Sequence, residues 1–270
     1  MNTNSRTYLI TKDLVETLER RISIPLSSSL RRTIRGLENS FLNSFWNLLP
    51  EEVEKESVES SLATSIFYKI LSKRALPLIS LDRIYLPEAE AFLEVTRKTD
   101  QYTGEITITE RPGSKTIQEQ IESIDIEKEV AIGDVGAFEG TTVAEVIDLL
   151  NQRGIVVKEV YLSFTSLKAL QKLNGIRKVS AINIFDFYEW VELRDLFGID
   201  GRIVKYEDNQ RVFIPYWENL TGWASIQEDA VPTVKMLCQE YNEALINLLK
   251  RARKPVEKIG RTVQFKGSQK

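Results

Sequence analysis

Residues 129–154, EVAIGDVGAFEGTTVAEVIDLLNQRG, hold the side chains best suited to chemistry. An apolar strand delivers Asp134 to its C-terminal end. A turn with Gly136, Ala137 and Gly140 follows, and Thr141 and Thr142 open a helix. Glycine and threonine at a helix start offer backbone N–H groups and hydroxyls to an anion. The helix dipole adds partial positive charge, so a phosphate group fits there. A carboxylate at the strand end suits ribose hydroxyls. The competing reading of the same residues is a structural βα turn capped by threonine.

Composition narrows the chemistry. The chain has 270 residues, no histidine and one cysteine. Histidine-based triads and zinc sites are excluded, so acid–base work falls to Asp, Glu, Lys or Tyr, and any metal is a hard cation such as Mg²⁺. A net charge of −3 argues against nucleic acid as a partner. No apolar run approaches the roughly 20 residues that cross a bilayer. The first residues lack the order of a secretory signal, so a cytoplasmic location away from membranes is expected.

The elements around this segment alternate. Apolar spacing predicts helices over most of 1–75, with Leu14, Leu18 and Ile22 on one stripe and Leu30, Ile34, Leu37, Phe41, Phe45 and Leu48 on another. Residues 87–98 read as a helix with proline in its first turn. Strands are expected at 105–110, 128–134, 156–164 and 179–185, with helices at 141–154 and 165–175. Strands alternating with helices imply βαβ units and a largely parallel sheet, an α/β fold. RIVKY and RVFIP flanking EDNQ predict a hairpin, a last helix runs from about Asp229 to Lys250, and a loose basic tail follows.

The stretch VAIGDVGAFEGTTVAEVIDLL resembles the signature of the type I phosphoribosyltransferases: a hydrophobic run, two acidic residues, a short turn, and Thr-Gly-x-Thr before a helix. Asp134 matches the second acid and Thr141 the final threonine. Gly133 stands where the first acid belongs, and Phe138 and Glu139 stand where Thr and Gly belong. The resemblance spans roughly residues 78–220 and implies a Rossmann-like sheet of the phosphoribosyltransferase type. It further implies that Asp134, Val135, Gly136, Ala137, Gly140, Thr141 and Thr142 bind a phosphoribosyl compound or nucleotide, with Mg²⁺ held at Asp134. Asp134 and Glu139 are then the candidate catalytic carboxylates for glycosyl transfer from phosphoribosyl pyrophosphate. Tyr216 and Trp217 look similar to the aromatics that stack on the base in such enzymes. Glu88 and Glu90 fall in the segment where the family holds pyrophosphate, with Arg83, Arg97 and Lys98 as nearby cations.

Three other functions compete: a non-catalytic nucleotide-sensing or scaffolding descendant, a nucleotide or glycosyl hydrolase with Glu88, Glu90 or Glu139 as base, and a structural interaction module. Tyr216 and Trp217 also fit plain core packing, Asp195 and Arg202 a surface ion pair, and Cys238 a buried, inert thiol. Asp186 and Asp200 join that polar region as candidates to line the ligand. The expected organisation is a helical extension at 1–76, serving packing or homodimer formation, a phosphoribosyltransferase-like α/β domain at 77–228, and a C-terminal helix and tail at 229–270.

Overall fold

The computed structural model describes residues 6–99, 106–111, 114–126, 128–199, 203–207, 210–256 and 264–265. In chain order its first elements are strand β1 (Thr7–Lys12), helix α1 (Leu14–Glu16), a π-helical turn (Thr17–Arg21), helix α2 (Ser28–Trp46), strand β2 (Glu54–Glu59) and helix α3 (Ser60–Leu71). Strands β3 (Leu78–Ser80), β4 (Ala91–Phe92), β5 (Val95–Thr99) and β6 (Ile106–Glu110) follow, then helix α4 (Ile117–Glu122). The central run is β7 (Glu129–Ala137), α5 (Thr141–Gln152), β8 (Val156–Thr165), α6 (Leu167–Lys172) and β9 (Lys178–Ile184). Last come β10 (Phe187–Glu192), α7 (Leu193–Leu196), β11 (Ile203–Glu207), β12 (Gln210–Ile214), a 3₁₀ turn (Tyr216–Asn219), α8 (Leu220–Trp223), α9 (Val231–Arg251) and β13 (Gln264–Phe265).

The chain divides into two units, one formed by 58–96 and 107–187 and the other by 1–57, 97–106 and 188–270. The first is the α/β unit. Its sheet has the order β4-β3-β7-β8-β9 with every pair parallel. The chain leaves β3 toward β4 on one side and leaves β7 toward β8 and β9 on the other. The winding therefore reverses between β3 and β7, where open α/β sheets bind ligands outside the carboxyl ends of the strands. Helix α5 buries Val143, Val146, Ile147 and Leu150, one helical stripe, against Val130 and Ile132 of β7 and Val160 and Leu162 of β8. Helix α3 packs on β8 and β9, and its buried Ala63, Phe67 and Leu71 lie outside that cluster, so it covers the opposite face.

The second unit centres on α2 and α9, whose apolar stripes share one core with Tyr8, Phe197 and Trp223. A three-stranded sheet of order β10-β1-β2 and an antiparallel hairpin β11-β12, with β13 beside β12, complete it. Arg194, 1% exposed, is neutralised there by Asp13 at 2.8 Å and by Glu192.

Three local expectations are corrected. The first 75 residues contain two strands: TYLITK is rich in β-branched and aromatic residues, and β1 is buried along its whole length. The Leu14, Leu18 and Ile22 stripe forms only a short α-turn and a π-turn, closed by Ile22 N–H on Thr17 O at 3.1 Å. Residues 87–98 form a turn at Pro87–Glu88 and then strands β4 and β5 in place of a helix, because the Glu90 carboxylate takes the Leu78 N–H at 2.8 Å and Leu93 N–H bonds Ser80 O at 3.0 Å, drawing the segment along β3. The 203–214 hairpin and the final helix follow expectation. Of the tail, 264–265 forms β13, and 257–263 and 266–270 lie outside the described residues.

Candidate functional site

Strand β7 continues three residues past its expected end at Asp134, into the expected turn. Gly136 pairs with Phe164 and Ala137 with Thr165, so Val135, Gly136 and Ala137 are ladder residues and the turn is only Phe138, Glu139 and Gly140. The cause is β8, which runs as far as β7 and offers a partner at each step, with Ser166 N–H adding a bond to Ala137 O at 3.3 Å. On the other side β3 has already ended at Ser80. Asp134 there turns its Oδ1 onto the Val135 N–H at 2.8 Å and is half-buried at the reversal of winding.

Gly140 shapes the turn. Its φ of 74° is left-handed, and a Cβ would stand 3.2 Å from Ala169 Cα. Only glycine meets both demands without strain. Ser166 pins the turn further: its Oγ donates to Phe138 O at 2.6 Å and accepts the Ala169 N–H at 3.0 Å, so one side chain holds the turn and caps α6. The Phe138 ring packs on Phe187 at 5.5 Å.

Helix α5 then starts from Gly140 with no side-chain cap. Ala144 N–H is bonded back to Gly140 O at 3.0 Å, so the N–H groups of Thr141, Thr142 and Val143 belong to the helix's first turn. They carry the positive end of a 12-residue helix. Two exposed cations from α6 add to it. Lys172 Nζ donates to Thr141 Oγ1 at 2.9 Å, and Lys168 pairs with Glu139. The contacts at this corner join Glu139 to Lys168 and Thr141 to Lys172, with Asp134 three residues before the end of β7. Ser166, Lys168 and Lys172 were missed in the sequence. Their signal was an i,i+4 lysine pair on the helix after β8, whose strand ends on the same sheet edge.

Other expected residues have structural duties. Glu90 bonds Arg74 at 2.7 Å as well as Leu78 N–H. Burial pushes its carboxyl up, but the Arg74 hydrogen bond, the backbone N–H bonds and the Arg74 charge outweigh it and hold it below the ordinary range. A general base at neutral pH needs the opposite shift. Glu88 is exposed. Arg83 pairs with Glu94 at 3.0 Å and lies over the Phe92 ring at 4.0 Å. Tyr216, Trp217 and Arg97 belong to the other unit. Tyr216 bonds Trp223 O, and the Trp217 ring occupies the space beside Gly198, 2.4 Å from where a Cβ would stand. Both rings lie in that unit's core, and Arg97 lies over Trp223 at 5.5 Å. Asp195 is buried at 2% exposure, so it is no surface residue. Asp186 is exposed, and Asp200 and Arg202 lie outside the described residues. Cys238 is fully buried, and burial pushes its thiol far up, which makes it inert.

Asp134 is the strand-end carboxylate that would meet an Mg²⁺ brought in with a phosphate ligand, since Mg²⁺ takes one or two carboxylates beside phosphate oxygens. Among the described residues no group of three or more His, Cys, Asp or Glu side chains converges. At Gly133, where the resemblance asks for an acid, a Cβ would meet Leu86 Cδ1 at 2.5 Å and Leu78 Cδ1 at 3.2 Å. Leucine fills the place of the carboxylate. No helix among the described residues is long and apolar enough to cross a membrane.

The class defined by this geometry is a parallel α/β unit with a polar corner at its winding reversal. No family model matches the chain, and no curated protein matches it. Solved structures do match, and phosphoribosyltransferases are among them. An adenine phosphoribosyltransferase from Thermoanaerobacter pseudethanolicus is 14% identical, with 47% of this chain and 80% of that chain covered at a TM-score of 0.33. An orotate phosphoribosyltransferase from Aeropyrum pernix is 16% identical, with 46% and 70% covered at 0.30. An adenine phosphoribosyltransferase from Rhodothermus marinus is 17% identical, with 46% and 78% covered at 0.32. The α/β class rests on the strand order.

Proposed function

We propose that the α/β unit binds a phosphoribosyl compound at the C-terminal end of β7. The ester phosphate sits on the first-turn N–H groups of α5 beside Thr141 Oγ1 and Lys172, and Asp134 accepts bonds from the ribose hydroxyls. The observation that carries this reading is the start of α5: a 12-residue helix with no side-chain cap, entered through a left-handed glycine, with Lys172 2.9 Å from its first hydroxyl. Such an end favours an anion by its dipole and by its N–H groups together. Tyr216 and Trp217 are left out of the reading, since their rings are spent in a core.

Binding without transfer is the form of this function that the residues favour. Transfer from phosphoribosyl pyrophosphate needs a second carboxylate where Gly133 and its leucine neighbours stand. Hydrolysis needs a base, and Glu139 is paired with Lys168 while Glu90 is paired with Arg74. The test is calorimetry of the full chain with ribose 5-phosphate, nucleoside monophosphates and phosphoribosyl pyrophosphate. Asp134→Ala and Thr141→Ala are each expected to weaken binding about tenfold, the worth of one charge-assisted hydrogen bond. No binding by the wild type, or unchanged binding in the double variant, would reject the proposal. Release of pyrophosphate in the presence of bases or amines would establish the transferase instead.

A further inference from the structure

We propose that two copies of this chain join through the outer edge of β9, antiparallel about a two-fold axis at Ile182, so that their two five-stranded sheets become one continuous sheet. The contact is independent of any ligand at the start of α5.

The two edges of the α/β sheet are unlike. Strand β4 is two residues long, and Pro87, Glu88 and Glu90 precede it. Short length, proline and charge are devices that keep a sheet edge from pairing with another chain. Strand β9 has none of them. It runs seven residues, pairs with β8 in steady register, and among the described residues pairs with no other strand. Residues 179–185, VSAINIF, hold no charge and no proline. Ile184 is 55% exposed although its backbone is still paired with Thr165. An edge of this kind offers a row of backbone N–H and C=O groups to one more strand.

The strand that fits it is β9 itself. A two-fold contact is closed, so assembly stops at a dimer. Antiparallel pairing also sets the start of one edge against the end of the other, and these ends differ in charge. Arg177 and Lys178 open the edge, and Asp186 follows its end. With Ile182 on the axis, Lys178 stands opposite the partner's Asp186, Val179 opposite the partner's Phe185, and Ile182 opposite the partner's Ile182. Moving the axis to Ala181 would set Lys178 against isoleucine and Val179 against asparagine. Opposite charges and apolar pairs across strands stabilise, so the Ile182 register is the better one. Lys178 donates to the Tyr161 hydroxyl at 2.8 Å while 41% of its side chain stays exposed, which holds its charge in place and within reach. Phe185 N–H bonds Thr165 O at 2.7 Å, carrying the extended chain past Ile184, and its ring rests on Phe164 and Phe187. The helices leave room. Helix α3 packs on β8 and β9. In the joined sheet the two α3 helices stand two to three strand spacings apart, about 10–14 Å. Packed helix axes need about 8–10 Å.

Analytical ultracentrifugation of the full chain tests the contact, and single cysteines test the register. The wild type is expected to sediment as a dimer. Ile182→Lys and Ile182→Glu each place like charges across the axis, and each is expected to raise the dissociation constant at least tenfold. Their equal mixture is expected to restore a dimer, which misfolded variants would not do. Cys238 is buried, so in oxidising buffer an introduced thiol is the reactive one. Ile182→Cys is expected to form a disulfide-linked dimer, because opposed residues of an antiparallel pair stand about 4.5–5.5 Å apart at Cα, within disulfide reach. Ser180→Cys, whose counterpart lies four residues along the partner strand at about 14 Å, is expected not to. A monomeric wild type, or a dimer that neither charge variant weakens, overturns the proposal. Cross-linking of Ser180→Cys in place of Ile182→Cys overturns it as well.

Discussion

Replacing Gly140 by alanine strains the one residue that lets β7 turn into α5. At φ 74° an alanine is in the left-handed region, which costs about 1–2 kcal/mol for a residue with a Cβ. The new methyl would also stand 3.2 Å from Ala169 Cα and 3.3 Å from Ala169 O, both backbone atoms of α6 and slow to yield. Adding overpacking at the low end of its usual range gives about 2–3 kcal/mol in all. The loss is local to the α/β unit, and all four tryptophans, Trp46, Trp190, Trp217 and Trp223, belong to the other one. Tryptophan fluorescence therefore does not report it, and hydrogen exchange of peptides from β7, α5 and α6 does. Those peptides are expected to exchange about 30- to 150-fold faster in Gly140→Ala, the ratio equivalent to that free energy, with ribose 5-phosphate affinity falling as the α5 N–H groups move. Gly175→Ala, which meets nothing within 4 Å, is the control and is expected to change neither. Unchanged exchange and unchanged binding in Gly140→Ala would refute the claim that this glycine sets the corner.

Other substitutions test other joints. Gly133→Asp is expected to destabilise the α/β unit by about 3 kcal/mol in urea unfolding followed by circular dichroism, because a carboxylate would be forced among Leu78 and Leu86; a stable variant that gains Mg²⁺ binding would contradict the closed pocket. Glu38 is buried, and that burial, opposed by the Arg35 charge, pushes its carboxyl from 4.5 to about 7. Its folded form keeps a proton that the unfolded chain has lost, so stability from this group is full below about pH 4.5 and falls by about 3 kcal/mol as pH rises to about 7. Burial raises Glu189 in the same direction. Tryptophan-monitored unfolding across that window is expected to show the decline, and Glu38→Gln to flatten it; an unaltered slope would place the proton elsewhere. Gly198→Ala would drive a methyl to 2.4 Å from the Trp217 ring at a left-handed φ of 64°, so a lower unfolding midpoint and a shifted tryptophan emission are expected. An unshifted emission would show that the ring is not seated there.

The parallel α/β class was legible because β7, α5 and β8 obey simple rules: an apolar run, a four-residue helical stripe closed by a glycine, and a second apolar run. The left-handed Gly140 and the helix start at Thr141 stand where the same rules put a turn and a helix. The limits of such rules came from partners distant in sequence. Nothing local in GDVGAFEG says that Gly136 and Ala137 stay in the ladder, because the length of β8 decides it. Residues 87–98 have a helix-like start, yet the Glu90 carboxylate spends itself on Leu78 N–H and Arg74, and the chain runs on into β4 and β5. Lys168 and Lys172 carry no motif, and they matter only because α6 is folded back onto the turn, with Ala169 against Gly140. TYLITK failed for a different reason: its β-branched residues were outweighed by the helical stripe that follows.

The most direct test follows the amide resonances of ¹⁵N-labelled protein during titration with ribose 5-phosphate in EDTA. The account predicts saturable shifts centred on Gly140, Thr141, Thr142 and Val143, the residues that begin α5, with smaller changes at Asp134 and Lys172. Shifts that leave those amides untouched while others move, or no saturable shift anywhere, would contradict it.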